Sequence, residues 1–262
     1  MKSILHTTPA KLLNLAMAIT LCFAWTLTAQ ASTNEVIGTV VAVKKSGWAT
    51  RVNGSVKRTV APGEKIMNGD RLEVKRGNYV QIALDIDREN IIHIDQSSTV
   101  QLFSDGEADI QLSKGSVFAM LDNLPPGQGF KIATPTAVGS VRGTYYKIET
   151  DGLKTLATTY QGLVNVAGLN ANGDVSATSS VDVAPARITE LVGFDATPNK
   201  PKQINRLEFE AINDIIRLTQ ENTPQKILSY EEALRDAAVY EANRIEKIKA
   251  ISKPSEDGSV LY

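Results

Sequence analysis

The chain has 262 residues, of which 42% are hydrophobic and 22% charged, and its formal net charge is −1. This length and apolar content allow one sizeable core, or one core with a smaller appendage. Because there is no basic excess, the composition disfavours nucleic-acid binding and electrostatic attachment to an anionic membrane surface.

The first 31 residues have the pattern of a secretory signal peptide. Lys2 and Lys11 are the only Lys, Arg, Asp or Glu residues there, an apolar run extends from Leu12 to Leu27, and Ala29-Gln30-Ala31 forms an A-x-A cleavage site. The run is shorter than the roughly 20 residues of a comfortable membrane span. We therefore predict cleavage after Ala31 and a periplasmic or secreted protein with no membrane span after cleavage.

Cysteine and histidine are scarce. Thr20 and Leu21 precede Cys22 where a lipoprotein signal would place a small residue, so Cys22 is predicted to be an apolar residue of the signal. After cleavage His93 is the sole remaining histidine. A Cys/His zinc site and a Cys–His nucleophilic pair are then excluded. His93 lies in an alternating strand pattern, and we expect it to face solvent rather than act as a base.

Residues 36–193 predict a mainly β domain. Asn53-Gly54 is the pair that a type I′ hairpin turn prefers. Short strands at a spacing of roughly 8–12 residues indicate a sandwich-like fold, a barrel, or a β-solenoid or roll. The predicted strands include Tyr79 to Leu84, Ile91 to Ile94, Thr99 to Phe103, Ala108 to Leu112, Val117 to Leu121, Gly129 to Ile132, Thr144 to Glu149, Leu156 to Tyr160 and Leu163 to Val166.

The pattern changes after this domain. Residues 194–203, with Pro198 and Pro201, predict a linker. Residues 204–251 have a helical period, and the second helix could begin at Thr223-Pro224 or at the capping box of Ser229 to Glu232. We predict a C-terminal helical hairpin over this segment, through which the protein could self-associate, and a flexible tail at 252–262.

Four blocks of the β region occur in a recognisable order, and a fifth segment, Tyr160 to Val164, follows them. The fourth block is the most specific because it contains both Thr-Pro-Thr and Arg-Gly-Thr. The four blocks are Gly38 to Val40, Pro62 to Leu72, Ile110 to Val117 and Phe130 to Thr144. Together with the fifth segment they resemble the FecR domain, and the resemblance covers residues 36–193.

The resemblance implies a non-enzymatic binding, signalling or scaffolding module of the bacterial cell envelope. The best-known FecR proteins pass a signal to a cytoplasmic sigma factor through a transmembrane helix. This sequence shows neither an anti-sigma segment nor a second apolar run of spanning length, so direct control of a sigma factor is not expected. The expected partner is an envelope protein or a glycan.

The fourth block supplies a candidate binding or structural motif, which consists of Thr134, Pro135, Thr136, Gly139, Arg142, Gly143 and Thr144. In one interpretation the Arg142 guanidinium and two threonine hydroxyls hold an anionic group or a partner's carbonyls. In the other, which we favour, Arg142 ties neighbouring turn carbonyls together and the glycines permit the bend.

Three carboxylates support an alternative hypothesis, an envelope carbohydrate-active enzyme. Asp70, Asp105 and Asp109 could pair for glycoside hydrolysis. They lie beside turn glycines or in a solvated strand, where aspartate is common for structural reasons. We therefore assign no catalytic residue.

Two further patterns are weak. Residues 85–89 resemble the start of a calcium loop, but the sixth and twelfth positions carry Asn90 and Gln96 instead of glycine and glutamate, so a polar hairpin is the prediction.

Aromatic residues on the predicted strands could stack on sugars, although at alternating positions such residues more often belong to a core. No metal or cofactor is expected. The aromatic residues are Trp48, Tyr79, Tyr145 and Tyr146.

Overall fold

The computed structural model describes residues 35–46, 49–53, 56–103, 108–220 and 227–251. The predicted signal peptide, Trp48, Asp105, the Thr223-Pro224 helix start and the tail 252–262 lie outside these ranges. The strands are β1 (Val36–Val43), β2 (Ala49–Asn53), β3 (Val56–Thr59), β4 (Lys65–Met67), β5 (Arg71–Val74), β6 (Val80–Ala83), β7 (Asn90–Ile94), β8 (Ser98–Leu102), β9 (Ile110–Leu121), β10 (Phe130–Ala133), β11 (Ala137–Val141), β12 (Tyr145–Thr150), β13 (Lys154–Gln161), β14 (Val164–Leu169), β15 (Val175–Val183), β16 (Arg187–Val192) and β17 (Lys202–Gln203). The helices are α1 (Arg206–Gln220) and α2 (Tyr230–Ile251).

The strands form two sheets that share β9. Sheet A has the order β4-β1-β6-β7-β9-β12-β13-β16-β17 and is antiparallel throughout. Sheet B has the order β3-β2-β5-β8-β9-β10-β11-β14-β15, in which only the pair β9–β10 is parallel. The register confirms a hairpin between β2 and β3, but Asn53 pairs with Val56, so the connection is residues 54–55 and lies one position later than the predicted Asn53-Gly54 turn.

Strand β9 crosses from sheet B to sheet A at Gly115. Two separate strands were predicted here, but the chain continues as one strand of 12 residues. Gly115 has φ +99°, and a Cβ atom at this position would lie 2.2 Å from Ser98 Oγ. A glycine therefore lets the strand change sheets without a turn.

The inner faces of the two sheets enclose the main core. Ile82 and Ile92 come from sheet A, Leu72 and Leu112 come from sheet B, and all are at most 1% exposed. Inward and outward residues alternate along the strands, as in a sandwich. The main body is thus the mainly β, sandwich-like fold that the sequence predicted, followed by helices.

Both helices cover the outer face of sheet A, where they bury a second apolar cluster. Its centre is Tyr160 of β13, whose ring stacks on Phe209 of α1 at 4.4 Å. The Tyr160 hydroxyl accepts the Leu228 N–H at 2.9 Å and lies within hydrogen-bonding distance of Asn213 Oδ1 and of the Leu228 carbonyl. This single side chain therefore binds both helical segments to the sheet. The cluster also contains Ile91, Phe118, Met120, Tyr145, Ile212, Ile216, Tyr230 and Ala233.

The helix starts follow local sequence signals. In α2, Ser229 and Glu232 form the predicted capping box, with the Glu232 N–H donating to Ser229 Oγ and the Ser229 N–H donating to Glu232 Oε2. Asn205 and Glu208 make the equivalent pair at the start of α1. Contacts between the helices join their first turns, where Phe209 meets the Tyr230 ring at 5.5 Å.

The 3.6-residue period of the sequence predicts one apolar stripe along each helix, which in α1 includes Leu207. The side of each helix that packs differs in part from this stripe. Leu207 was expected in the apolar stripe of α1 but is 82% exposed, because Phe209 and Ile216 face the sheet instead. In α2 Ala233 and Ala237 are buried, whereas residues 238–249 are largely exposed. The predicted linker also packs: Pro198 is buried, and the Asn199 N–H donates to the Glu190 carbonyl.

Candidate ligand-binding face

The threonines of the candidate motif tie the two sheets together. Thr134 Oγ1 lies 2.7 Å from Thr155 Oγ1, and Thr136 Oγ1 lies 2.9 Å from the same atom. Thr155 belongs to β13 of sheet A, while Thr134 and Thr136 flank the turn between β10 and β11 of sheet B. All three are at most 5% exposed. Their hydroxyls satisfy one another and are not presented to a ligand.

Gly139 allows the sheets to approach closely. A Cβ atom at Gly139 would lie 2.5 Å from Ile148 Cδ1 of sheet A. The glycine faces the main core, so it serves the packing of the sandwich and does not contact a ligand on the outside.

Arg142 does not have the structural role that we favoured. Its side chain is exposed and makes no hydrogen bond or ion pair with any residue that the structure describes. Neighbouring groups hold the turn instead: Gly143 has φ +67°, and Thr144 Oγ1 donates to the Leu163 carbonyl at 3.2 Å. Within the described ranges Arg142 therefore ties no turn carbonyl, in contrast to the interpretation that we favoured.

The outer face of sheet B carries an open groove of about 750 Å³. Its floor is formed by Ala133, Val138, Ala167 and Leu169, which cluster on the face opposite to the main core. Phe194, 47% exposed, lies at the edge of the groove. No helix packs on this floor in the described part of the chain.

A polar row borders the floor. Lys131, Ser140, Asn165 and Asp182 occupy directly paired positions on β10, β11, β14 and β15, so their side chains share one face. The first three also line an adjoining cavity of about 620 Å³, together with Arg142 and with Tyr240 of α2. Because they share these three residues, the two cavities adjoin, and together they are called the groove.

His93 is not solvent-facing, as we had expected, but 3% exposed. It lies on the outer face of sheet A, where Gln81 Nε2 is 3.2 Å from its Nδ1 and the Tyr79 ring centroid is 5.0 Å away. Burial lowers the pKa of His93 to about 4. The alternation placed the side chain on the correct face of the strand but could not show that this face is covered.

The candidate carboxylates have structural partners. Asp70 is fully buried, accepts the Met67 N–H at 2.8 Å and lies 3.5 Å from the Arg51 guanidinium. Asp109 accepts the Lys131 N–H at 2.7 Å, and burial raises the pKa of its carboxyl group. These contacts do not bring the two carboxylates into a catalytic pair.

The remaining candidates are also local structure. Asp85 accepts the N–H groups of Glu89 and Asn90, as in the predicted polar hairpin. Among the described residues no cluster of three or more potential metal ligands occurs. Tyr145 and Tyr146 are fully buried, so neither offers a face to a sugar.

The chain is similar to the FecR protein family over residues 70–165. The matched segment runs from β5 to β14, and it contains the third and fourth blocks and Tyr160 to Val164. No curated protein matches the sequence.

Two solved structures resemble this chain at low similarity. Both are crystal structures of candidate anti-sigma factors from Parabacteroides distasonis ATCC 8503. The first is 15% identical with a TM-score of 0.43, and the match covers 55% of this chain and 64% of the other, less than two thirds of its length. The second is 14% identical with a TM-score of 0.42, and the match covers 60% and 75%.

Sequence reasoning missed the residues that accompany Arg142 at the groove. They are Lys131, Ser140 and Asn165, not the motif threonines. Their outward positions on neighbouring strands could have been found only with the strand register.

Within the described ranges, neither helix has the length and hydropathy of a membrane span.

Proposed function

We propose that the protein is an exported, non-enzymatic FecR-domain module that binds a partner in the bacterial cell envelope and thereby signals or scaffolds. The observation that carries this proposal is the open groove on sheet B, which combines an apolar floor with exposed polar groups and a free Arg142. Grooves of this composition are the usual sites of ligand recognition.

Export rests on the sequence of residues 1–31. The positive start, the apolar run and the A-x-A site support cleavage after Ala31 and a periplasmic or secreted location. Intact-mass measurement of the protein from the envelope fraction tests this. A protein that retains Met1 to Ala31, or that carries lipid on Cys22, would contradict it.

Binding through the groove can be tested in the source bacterium. A photo-crosslinking amino acid at Ser113 or at Asn165, both exposed on the groove, is expected to capture the envelope partner. The same amino acid at Asp87, in the exposed hairpin between β6 and β7, is the control. Equal capture from all three positions, or none from the groove, would overturn the proposal.

Self-association through the helices is a second part of the proposal. Ile245 and Ile248 of α2 are 50% and 54% exposed, and Leu207 of α1 is 82% exposed. A crosslinker at Ile245 is expected to join two copies of the chain. If it captures no second copy, and sedimentation shows a monomer at all concentrations, self-association is excluded as a function of this segment.

A further inference from the structure

The groove on sheet B, which consists of the two adjoining cavities, has two ends of different chemistry. Small aliphatic side chains form the floor, and Phe194 stands at its edge. Lys131 and Arg142 lie at the opposite end. Lys131 lies on β10 opposite Ser140, Arg142 follows directly after the end of β11, and both side chains line the same cavity.

We propose that this groove binds an extended polypeptide segment, with an acidic side chain or a C-terminal carboxylate at the Lys131–Arg142 end and apolar side chains on the floor. The inference rests on the proposed function, since it names the occupant of the same face.

Charge complementarity is the first argument for an acidic group. Lys131 and Arg142 are exposed, and neither forms an ion pair with a carboxylate in the described ranges. Nearby carboxylates are used otherwise: Asp109 accepts the backbone N–H of Lys131, and Asp182 accepts the Asn165 side-chain amide at 2.8 Å. The charge of Lys131 also acts on the Asp109 carboxylate, so the Arg142 guanidinium is the main donor offered to a ligand carboxylate.

Access is the second argument. The cavity around Arg142 is lined by Gly127, Gly129, Gly143 and Gly162. Glycines leave the backbone uncovered, so a ligand can approach its N–H and C=O groups closely. This favours a ligand whose own main chain is exposed.

The composition of the floor favours a polypeptide over a glycan. Sugar rings bind on broad aromatic faces, but here the aromatic side chains Phe194 and Tyr240 stand at opposite ends of the groove. Between them lie Ala133, Val138 and Ala167, which suit small apolar side chains. Ser140 and Asn165 beside the floor can bond main-chain amides.

Fluorescence anisotropy with the purified full chain tests the inference. The probe is a labelled peptide of alternating Val and Glu, roughly ten residues or about 33 Å when extended. Peptides of alternating Val and Lys, and of alternating Ser and Glu, test the charge and the apolar side chains. A galacturonate oligomer represents an acidic glycan.

The Val/Glu peptide is expected to bind most tightly. Arg142→Ala and Lys131→Ala should each weaken its binding about tenfold, the effect of losing one charge-assisted contact. Arg58→Ala is the matched control, since Arg58 is an exposed arginine on β3 at the far edge of sheet B. That variant should bind as the unaltered protein does.

Four results would overturn the inference: equal binding of the Val/Lys peptide, equal binding of the Ser/Glu peptide, unchanged binding by the Arg142 and Lys131 variants, or Arg142-dependent binding of the galacturonate oligomer alone. If no probe binds but the groove positions still capture a partner in the cell, the polypeptide inference fails while the proposed function stands.

Discussion

The outer faces of the two sheets differ although the sheets share a core and one strand. On sheet A the outward residues include Phe118, Met120 and Tyr145, which are large, and two helices cover them. On sheet B the outward apolar residues between β10 and β14 are Ala133, Val138, Ala167 and Leu169, and polar side chains border them. The last three are at most 8% exposed although no helix packs on them in the described part of the chain.

This difference assigns separate roles to the faces. Covering sheet A contributes burial of apolar surface and therefore stability. The groove of sheet B buries a smaller apolar cluster and leaves donors such as Arg142 accessible. Substitutions on the first face should change the free energy of unfolding, and substitutions on the second should change binding.

The largest effect is expected at the contact between α1 and sheet A. Phe209→Ala removes a fully buried ring that stacks on Tyr160, and should lower the free energy of unfolding by about 3–5 kcal/mol. Leu207→Ala, on the same helix but 82% exposed, should change it by less than about 0.5 kcal/mol. Urea denaturation measures both. Equal effects would show that α1 does not cover the sheet in solution.

A pH effect is expected from His93 on the same covered face. Burial lowers its pKa from 6.5 to about 4, so the unfolded chain binds a proton over a pH range in which the folded protein does not. The stability from neutral His93 is complete above pH 6.5 and is lost as the pH falls toward 4, by about 3 kcal/mol. His93→Gln should lose less stability between these pH values. Parallel curves for the two proteins would show that His93 is accessible.

An intermediate effect is expected between the sheets. Thr155→Val removes the hydroxyl that bonds Thr134 and Thr136 and leaves buried oxygens without this partner, at a cost of about 1–3 kcal/mol. Thr158→Val is the matched control, because Thr158 lies on the opposite face of β13 and its hydroxyl makes no hydrogen bond with a described residue. If both variants unfold at the same urea concentration, the threonine network does not join the sheets.

Local signals predicted much of the fold. The β2–β3 hairpin and the Ser229–Glu232 capping box depend on signals of a few residues, so the sequence alone identified them, although the hairpin connection lies one residue later than predicted. The face of α1 that packs could not be predicted, since Leu207 and Phe209 both fit an apolar stripe and only the sheet beneath selects between them. The same limit applied to His93, whose cover comes from distant parts of the chain.

The motif shows where sequence reasoning fails at a site. Thr134 and Thr136 bond Thr155 inside the protein, and Gly139 serves close packing of the sheets, whereas the favoured interpretation had given a structural role to Arg142 and to the glycines alone. Arg142 belongs to the same block but faces outward, and an exposed side chain has no strong local pattern around it. Its groove partners Lys131 and Asn165 come from other strands, so the register had to be known first.

The smallest effect on stability is expected from Arg142→Ala. Since the guanidinium is exposed and has no hydrogen bond or ion pair with the described residues, the free energy of unfolding should change by less than about 0.5 kcal/mol. A structural tie would instead cost about 1–3 kcal/mol. Urea midpoints distinguish the two outcomes, and Arg58→Ala provides the baseline for loss of an exposed arginine from sheet B. A large loss of stability restricted to the Arg142 variant would return this residue to the structural role and would remove the main donor from the open face.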